Sequence, residues 1–567
     1  MPERPFPLGS DKATRRPIFI DDETRTTSLH IIGAPGTGKT KFIEHLVRED
    51  IRRGSGVMLI DPHGHLFTSL CKWCEQIGIE RRRRILVLDP AAADFAFSFN
   101  PLDYERYRGK GDEQMSVEFM VAAIFRAIAQ AWRENDPEKR PRLRRCLEST
   151  LVPLVERKLT LLETEQVLDI SEDGKLIREA FARETRNPAI AAMWRQFNAM
   201  RDAEFVEKFE STVNRLFEIW KAPPIRNIIG QNRRNIDFLK LMNEGWVVLV
   251  NLNGARRLSD DNARVIGALL VNDLFLAARC RDETTGKKHP FHVYIDECAE
   301  YINEDVARIL TEGRKFGLHL TLAHQDLAQL REEGDRVYSA IMGAARTKVV
   351  FSVQHPEDAD IVADLIFNGE YDLEEPKRSL DKPFVVDQVR SIFHGGARSS
   401  SSSATQAVGS QARSTSTATS PEGETLHTSQ TIGEAPSTDS YADTQGETWS
   451  WQDGMESVIE WLHTQHFSLQ DQVYRGVAKV RSQPQRHAFV KMPGQRSVQI
   501  TVPIVKDAYV RDERVKAFIR RNAFRREFAA DFAQIRDEQA ERAALFVHAV
   551  RTTQAREKPV EPETWRE

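Results

Sequence analysis

The segment Gly33–Thr40 constrains the fold of this chain more than any other feature of the sequence. It reads Gly-Ala-Pro-Gly-Thr-Gly-Lys-Thr and follows the apolar run Leu29–Ile32, which predicts a strand, a glycine-rich loop and then a helix. Glycines let backbone N–H groups converge on phosphate oxygens, and the start of the following helix favours negative charge. Lys39 could then reach the β- and γ-phosphates of a nucleotide, and the Thr40 hydroxyl could be a ligand of Mg²⁺. The pattern predicts a nucleotide site but not the work that the nucleotide drives. The predicted nucleotide-binding residues are Gly33, Ala34, Pro35, Gly36, Thr37, Gly38, Lys39 and Thr40.

A second half of this site is predicted far downstream. The apolar, β-prone run Phe291–Ile295 ends in Asp296 and Glu297. In a P-loop ATPase, an aspartate at such a strand tip helps to hold Mg²⁺, and an adjacent glutamate can act as general base on the attacking water. Two acids at a strand end are common by themselves. Together with the P-loop they predict Asp296 as metal-directed and Glu297 as catalytic, and they favour ATP hydrolysis coupled to motion over a small-molecule kinase.

Composition gives no sign of a general nucleic-acid binder. The 567 residues can hold two or three domains, and 80 Lys and Arg against 84 Asp and Glu give a formal net charge of −4. This balance argues only weakly against DNA, because a ring-shaped motor needs basic residues along its pore alone. The run Arg81–Arg84 is interpreted as a solvated turn before the strand Ile85–Leu88 rather than as a DNA patch.

Cysteine usage and hydropathy indicate a cytoplasmic protein. Cys71 and Cys74 form one C-x-x-C without a second pair at zinc spacing, and the other three cysteines are predicted to be buried thiols, which fits a reducing compartment. We see no signal peptide and no apolar run long enough to span a bilayer, since Asn272 and Asp273 interrupt the longest one.

Strands and helices alternate on both sides of a helical segment, so the predicted fold class is α/β with a parallel sheet. The second strand ends in Asp61-Pro62-His63-Gly64. Asp61 and His63 either line the site or form a turn cap, and both interpretations stay open. The helical segment carries Arg140, Arg142, Arg144 and Arg145, which form either a DNA or partner surface or a solvated helix face.

The predicted domains follow from these changes of pattern. A Ser/Thr-rich stretch with few apolar residues is predicted to be a disordered linker, because it cannot bury enough surface to offset its ordering entropy. Beyond it we predict helices near 458–462 and 470–480, strands near 488–491 and 498–503, and a helical tail over 515–550. The predicted boundaries are an N-terminal segment 1–27, a first ATPase part 28–112, an all-helical insertion 113–243, a second ATPase part 244–394, a linker 395–450 and a C-terminal α+β module with helical tail 451–567.

With these motifs in place, the chain resembles the HerA–FtsK superfamily of RecA-like P-loop ring ATPases. It looks most similar to the ATPase part of type IV secretion coupling proteins, which serve conjugative DNA transfer. The resemblance covers about residues 25–370 and, more weakly, 455–505. The matching segments are Gly33–Thr40, Ile60–Gly64, Phe99–Leu102, Val248–Leu252, Val293–Glu297, Glu312–Gly317 and Ala323–Gln325.

The resemblance implies further roles at matching positions. Gln325, after the strand that follows the Asp-Glu pair, would sense the γ-phosphate and contact the attacking water. Arg314 would be an arginine finger given to a neighbouring subunit, since a guanidinium bridges developing phosphate charge. Alternatively, Arg314 is a cation at the C-terminus of a helix that ends before Gly317. Arg346 is the second candidate for the arginine finger. The family also implies ATP, Mg²⁺ and a hexameric ring.

Two departures from the family pattern bear on location. Membrane-bound coupling proteins carry N-terminal transmembrane helices, and HerA carries an N-terminal β-barrel; the residues before Leu29 show neither. We therefore expect a cytoplasmic protein, or one that reaches the inner membrane through a partner.

Three functions remain open. The first is an ATP-driven translocase of single- or double-stranded DNA, as in conjugation, which tracks the phosphate backbone without reading bases. The second is an ATPase platform whose C-terminal part recruits a nuclease, relaxase or secretion-channel protein in DNA processing or defence. The third, a protein-remodelling ATPase, is disfavoured by the family resemblance. DNA stimulation of ATP turnover would separate the first from the others.

Overall fold

A computed structural model places most of the chain. It describes residues 5–107, 116–132, 141–254, 257–281, 289–302, 310, 315–332, 334–371, 384–397, 411–419, 425–434, 448–460 and 467–557. The chain divides into two compact units, one formed by residues 1–369 with 476–567 and the other by residues 370–475.

The elements of both units are numbered along the chain. The strands are β1 Phe6–Asp11, β2 Pro17–Ile20, β3 Leu29–Ile32, β4 Gly56–Asp61, β5 Ile85–Leu88, β6 Phe95–Phe97, β7 Val247–Asn251, β8 Phe291–Ile295, β9 Leu318–His324, β10 Thr347–Val350, β11 Phe384–Ala397, β12 Gln411–Thr419, β13 Thr425–Glu434, β14 Thr448–Glu460, β15 His487–Lys491, β16 Val498–Thr501 and β17 Ala529–Asp531. The helices are α1 Asp22–Arg25, α2 Lys39–Arg53, α3 His65–Ile77, α4 Val117–Ala131, α5 Pro141–Glu156, α6 Thr164–Val167, α7 Glu172–Glu184, α8 Pro188–Asn198, α9 Asp202–Trp220, α10 Pro223–Ile229, α11 Phe238–Asn243, α12 Asp260–Arg279, α13 Leu327–Glu332, α14 Asp335–Ala344, α15 Pro356–Phe367, α16 Leu469–Arg481, α17 Asp512–Ala523 and α18 Phe532–Glu557.

One large sheet organises the first unit. Within the described residues it has eleven strands in the order β2-β1-β16-β15-β10-β3-β9-β8-β4-β7-β5. The strands from β10 to β5 pair in parallel. Helices cover both faces of such a sheet, so its strands are buried along their whole length and form apolar runs in the sequence. Every residue of β3, β4 and β8 is buried. The α/β fold class with a parallel sheet is confirmed.

Both ends of the chain extend this sheet, which differs from the predicted domains. Strand β15 pairs antiparallel with β10, β16 follows β15, and β1 pairs with β16. Strand β2 then completes the edge. The two C-terminal strands are therefore part of the large sheet and not of a separate α+β module. The N-terminal segment likewise supplies two strands. Antiparallel addition closes an edge that the parallel strands alone would leave unpaired.

The all-helical insertion comprises α4 to α11 and is joined to the sheet by polar contacts at its base. Arg106, which precedes the insertion, donates to the Ile236 carbonyl inside it, and its Nη1 and Nη2 donate to the Asp273 carboxylate of α12 at 3.0 and 3.2 Å. The Asn100 side chain donates to the Leu159 carbonyl and accepts from the backbone of Leu102. The segment Phe99–Leu102 therefore fixes where the insertion leaves the core.

The arginine clusters singled out in the sequence take part in local structure. Arg83 donates to the carbonyls of Ser55 and Gly245 at 2.6 and 2.7 Å, and Arg84 pairs with Glu244. Arg81–Arg84 thus forms the turn before β5, as predicted. In the insertion, Arg144 pairs with Glu148 on its own helix, which favours the solvated-face interpretation for this residue. Arg140 lies outside the described residues.

The helical tail is a helix pair that packs on the core. Helix α17 lies against α3 and β5, and β17 pairs with β6. Phe518, Phe528 and Ile535 are buried, whereas Phe524 is 36% exposed.

The second unit contains two antiparallel strand pairs, β11 with β14 and β12 with β13. They occupy parts of the range 395–450, so the prediction of disorder is wrong for these strands. Threonine is β-branched and fits strands, and antiparallel pairing satisfies the backbone groups of a polar sequence. The helix predicted near 458–462 is also wrong for Val458–Glu460, which end β14.

Among the residues that the structure describes, no helix is both long and apolar enough to cross a bilayer. All five cysteines are buried and carry free thiols. Burial raises the pKa of the Cys74 thiol to about 12.

Candidate nucleotide site

The P-loop connects the end of β3 to the start of α2. Gly36 and Gly38 have φ angles of +76° and +110°, which side-chain-bearing residues rarely adopt. At Gly33 there is no room for a side chain, because a Cβ atom there would lie 2.6 Å from the Cβ of Phe351. Thr37 Oγ1 donates to the Ala34 carbonyl at 2.7 Å and closes the loop on itself. The glycines therefore serve loop geometry at two positions and close packing at a third.

Residues far along the sequence hold this loop from outside. The backbone N–H of Arg486 donates to the Thr37 carbonyl at 2.8 Å, and that of Ala34 donates to the Ser352 carbonyl at 2.9 Å. Arg486 itself has a φ of +64°. A Cβ on Gly38 would meet the Cα and backbone nitrogen of Arg486 at 3.3 Å. The turn before β15 therefore packs directly on the P-loop, a contact that the sequence analysis missed.

Lys39 reaches the acidic pair at the end of β8. Its Nζ lies 3.0 Å from Glu297 Oε1 and 3.5 Å from Asp296 Oδ1, and all three residues are buried. Thr40, the next residue, is exposed at the first turn of α2. The structure thus brings together the two halves that the sequence separates by more than two hundred residues.

Glu297 has a backbone conformation that is uncommon for a residue with a side chain. Its φ and ψ are +48° and +53°, in the left-handed region. The Gln325 amide Nε2 donates to Glu297 Oε1, the same oxygen that Lys39 contacts. Gln325 follows β9, which lies between β3 and β8 in the sheet. One carboxylate oxygen is therefore shared by a cation and a neutral amide, both predicted site residues.

Asp296 is a carboxylate in a charged but buried setting. Burial raises its pKa, the nearby Lys39 acts to lower it, and the charges of Glu297 and Asp61 raise it again. A further cation would stabilise the ionised form of such a group.

Asp61 serves as a cap while lying near the acidic pair. Its Oδ1 accepts from the backbone of His63 at 2.9 Å and its Oδ2 accepts from the backbone of Phe67 at 2.7 Å, so it caps the turn into α3. Its charge also acts on Asp296. The side chain of His63 is exposed. The contacts of Asp61 are therefore those of a turn cap, and the negative charge of Asp61 adds to that of the acidic pair.

The candidate arginine finger Arg314 lies outside the described residues, so its role stays a prediction. Arg346, the second candidate, is exposed. Its backbone N–H donates to the Thr27 carbonyl at 3.2 Å, just before β10.

A buried histidine pair beside the site was also missed. His30 Nε2 and His324 Nε2 contact each other across β3 and β9, one residue before Gln325. Burial lowers the pKa of His324 to about 3, so the ring is neutral. A histidine inside each of two apolar strands was the available signal, and strand order was needed to pair them.

Two comparisons with known proteins found matches to this chain. Residues 290–437 match the family model described as the TraM recognition site of TraD and TraG. The plasmid coupling protein TrwB, solved with the non-hydrolysable GTP analogue GDPNP, is similar in fold. It has a TM-score of 0.50 and 13% identity over 89% of this chain and 91% of that chain. TrwB with the ATP analogue ADPNP gives a TM-score of 0.50 and 12% identity over 87% and 88%.

Among curated proteins, no sequence matches this chain significantly. The likeness to TrwB rests on the course of the backbone, whereas the family match rests on the sequence of residues 290–437. In agreement with the resemblance to coupling proteins seen in the sequence, residues 290–437 are similar to TraD and TraG, and the fold of this chain is similar to that of TrwB.

Proposed function

We propose that this chain is an ATP-hydrolysing coupling ATPase that moves DNA or nucleoprotein through a ring of its own subunits. The observation that carries the proposal is the meeting of Lys39, Asp296, Glu297 and Gln325 at the carboxyl ends of neighbouring strands. Ligands of open parallel sheets bind at this edge. TrwB, which is similar in fold, was solved in complex with nucleotide analogues, and this supports nucleotide binding by this chain.

The residues present fit ATP with Mg²⁺. The positive φ angles of Gly36 and Gly38 leave backbone N–H groups free of Cβ atoms, and no atom lies within 4 Å of where a Cβ on Gly36 would be. The exposed Thr40 hydroxyl and the Asp296 carboxylate offer the oxygen ligands that Mg²⁺ prefers. When bound, Mg²⁺ neutralises charge that develops on the transferred phosphoryl group.

Each side chain then has a distinct task. Lys39 exchanges its contact with Glu297 for the β- and γ-phosphates. The released Glu297 carboxylate accepts a proton from the attacking water, and the Gln325 amide orients that water or the γ-phosphate. Arg314 is proposed to act across a subunit boundary on the same charge.

DNA is the proposed cargo, on the strength of the family resemblance. A net charge of −4 gives no general attraction to phosphates, so the contacts would lie along the pore of a hexamer. We place the protein in the cytoplasm, with attachment to the inner membrane through a partner.

A second function is favoured by the family match. Because residues 290–437 match a model of a TraM recognition site, this stretch is proposed to contact a protein partner. In that case ATP turnover would serve an assembly platform for a relaxase, nuclease or channel protein, with little DNA movement.

Steady-state ATPase activity of the purified chain tests the proposal, measured without DNA and then with single- and double-stranded DNA. Glu297→Gln is the blank. Strong stimulation by one DNA form supports the motor and identifies the strand form that it grips. ATPase activity that neither single- nor double-stranded DNA changes would overturn the proposal of a DNA translocase and would favour the assembly platform. Absence of ATPase activity under all conditions would contradict both.

A further inference from the structure

The helical insertion has an open groove on α9, away from the elements that carry the nucleotide site. The groove encloses about 700 Å³ and lies between α9 and the segment 165–170. Its floor is apolar and buried, formed by Leu168, Phe205 and Phe209. A volume of this size can take several side chains of another segment.

Exposed apolar side chains continue the floor to the surface. Ile170, Val206 and Phe217 are 49%, 48% and 53% exposed. Val206, Val213 and Phe217 are seven and then four residues apart on α9, so they lie along one helix face. A single exposed apolar residue is ordinary, but a row of them beside an apolar groove indicates an interaction surface.

The rim of the groove is acidic. Glu165, Asp169 and Glu210 line it and are exposed. Two nearby cations are already engaged. Arg226 pairs with Glu165 at 2.9 Å, and the buried Arg178 donates to the carbonyls of Val167 and Asp169. The rim therefore attracts positive charge and repels the phosphates of a nucleic acid.

We propose that this groove binds an amphipathic segment of a partner protein that is apolar on one face and carries Lys or Arg beside it. The apolar face covers Val206 and Phe217, and the basic side chains meet Asp169 and Glu210. The basic partner segment is favoured by charge complementarity over a second copy of this chain, whose α9 presents the same acidic rim.

A designed peptide tests the proposal directly. The probe is a fluorescein-labelled amphipathic peptide of about 14 residues, with leucines on one helix face and lysines elsewhere. Fluorescence anisotropy with the full-length protein measures its affinity. We expect binding, and we expect Val206→Arg and Glu210→Lys each to weaken it about tenfold or more. The same peptide with glutamates in place of lysines should not bind.

Leu545→Arg is the matched control, since Leu545 is 59% exposed on α18 and does not line the groove. Glu210→Lys keeps the test valid if Val206→Arg fails to fold. Equal affinity in all variants, or no binding by the wild type, would overturn the proposal. So would self-association of the wild-type protein in sedimentation that Val206→Arg abolishes, because the groove would then be a contact between copies.

Discussion

At the scale of single residues, the site depends on how one carboxylate is held. Glu297 sits in left-handed backbone geometry, which costs about 1 kcal/mol or more for a residue with a side chain. That geometry directs its carboxylate to Lys39 and Gln325. The proposed alternative partner for Lys39 is a nucleotide phosphate, and a Lys39 that contacts phosphate would release Glu297. We infer that nucleotide binding and activation of the base are linked through this one ammonium group.

A second residue, Lys348, predicts a pH dependence of stability. Burial lowers its pKa from 10.5 to about 8, and its Nζ donates to the Met342 carbonyl at 2.7 Å. The unfolded chain therefore binds more protons than the folded chain between these two pKa values, so the free energy of unfolding rises with pH there. The rise is at most about 3 kcal/mol.

Denaturant unfolding from pH 8 to pH 10.5 measures this effect, with Lys348→Met as the reference. The neighbouring His30 and His324 have pKa values lowered by burial and stay neutral throughout this range. The wild type should gain stability relative to Lys348→Met as the pH rises. Parallel curves for the two proteins would show that Lys348 keeps an ordinary pKa.

At the scale of elements, the P-loop is held by the turn before β15. The hydrogen bond from Arg486 to Thr37 and the close approach at Gly38 join a C-terminal element to a loop near the N-terminus. Movement of that turn would change the loop that is proposed to hold phosphates.

Two glycines of the loop test this packing. Gly36 and Gly38 both have positive φ, so alanine at either position costs about 1–2 kcal/mol from backbone strain. Only at Gly38 would the added Cβ also press on Arg486, at 3.3 Å. Gly38→Ala should therefore lower the melting temperature more than Gly36→Ala, as measured by calorimetry without nucleotide. Equal melting temperatures of Gly36→Ala and Gly38→Ala would show that the turn before β15 moves away from the added Cβ without a cost in stability.

The predictable elements are those whose partners are near in sequence or whose residues form a motif. The strands Leu29–Ile32, Ile85–Leu88 and Phe291–Ile295 were predicted with their observed bounds, because buried parallel strands form apolar runs. Asp296 and Glu297 were predicted to join the P-loop in one nucleotide site because the two motifs belong together, whereas Gln325 was added through the family resemblance. Strand β1 was not predicted, since its proline and polar residues give no clear alternation and its partner β16 lies almost at the other end of the chain. The contact of Arg486 with the P-loop has the same cause, because no spacing rule joins residues so distant.

At the scale of the whole molecule, the large sheet that carries the P-loop is completed by strands near both ends of the chain. Strand β15 covers the edge of β10, and β16 joins β1 to that edge. Helix α17 covers α3 and β5 at the opposite end of the strand order. The C-terminal residues are thus structural parts of the ATPase unit.

A split chain tests this arrangement. A fragment of residues 1–369 leaves β10 with an open edge and β1 without β16, so it should be insoluble or unfold without cooperativity. Co-expression with residues 467–567 restores those partners and should give a soluble complex that co-purifies. A fragment 1–369 that is stable alone and binds ATP with wild-type affinity would contradict the single-sheet arrangement.

The central claim is that Lys39 and Glu297 belong to one ATP site with separate tasks. Binding of a fluorescent ATP analogue and single-turnover hydrolysis, measured side by side for the wild type, Lys39→Ala and Glu297→Gln, test it most directly. Lys39→Ala should lose binding. Glu297→Gln removes the charge that holds Lys39, so it should bind at least as tightly as the wild type while hydrolysis slows about hundredfold or more. Hydrolysis by Glu297→Gln at the wild-type rate would contradict the assignment of Glu297 as the base.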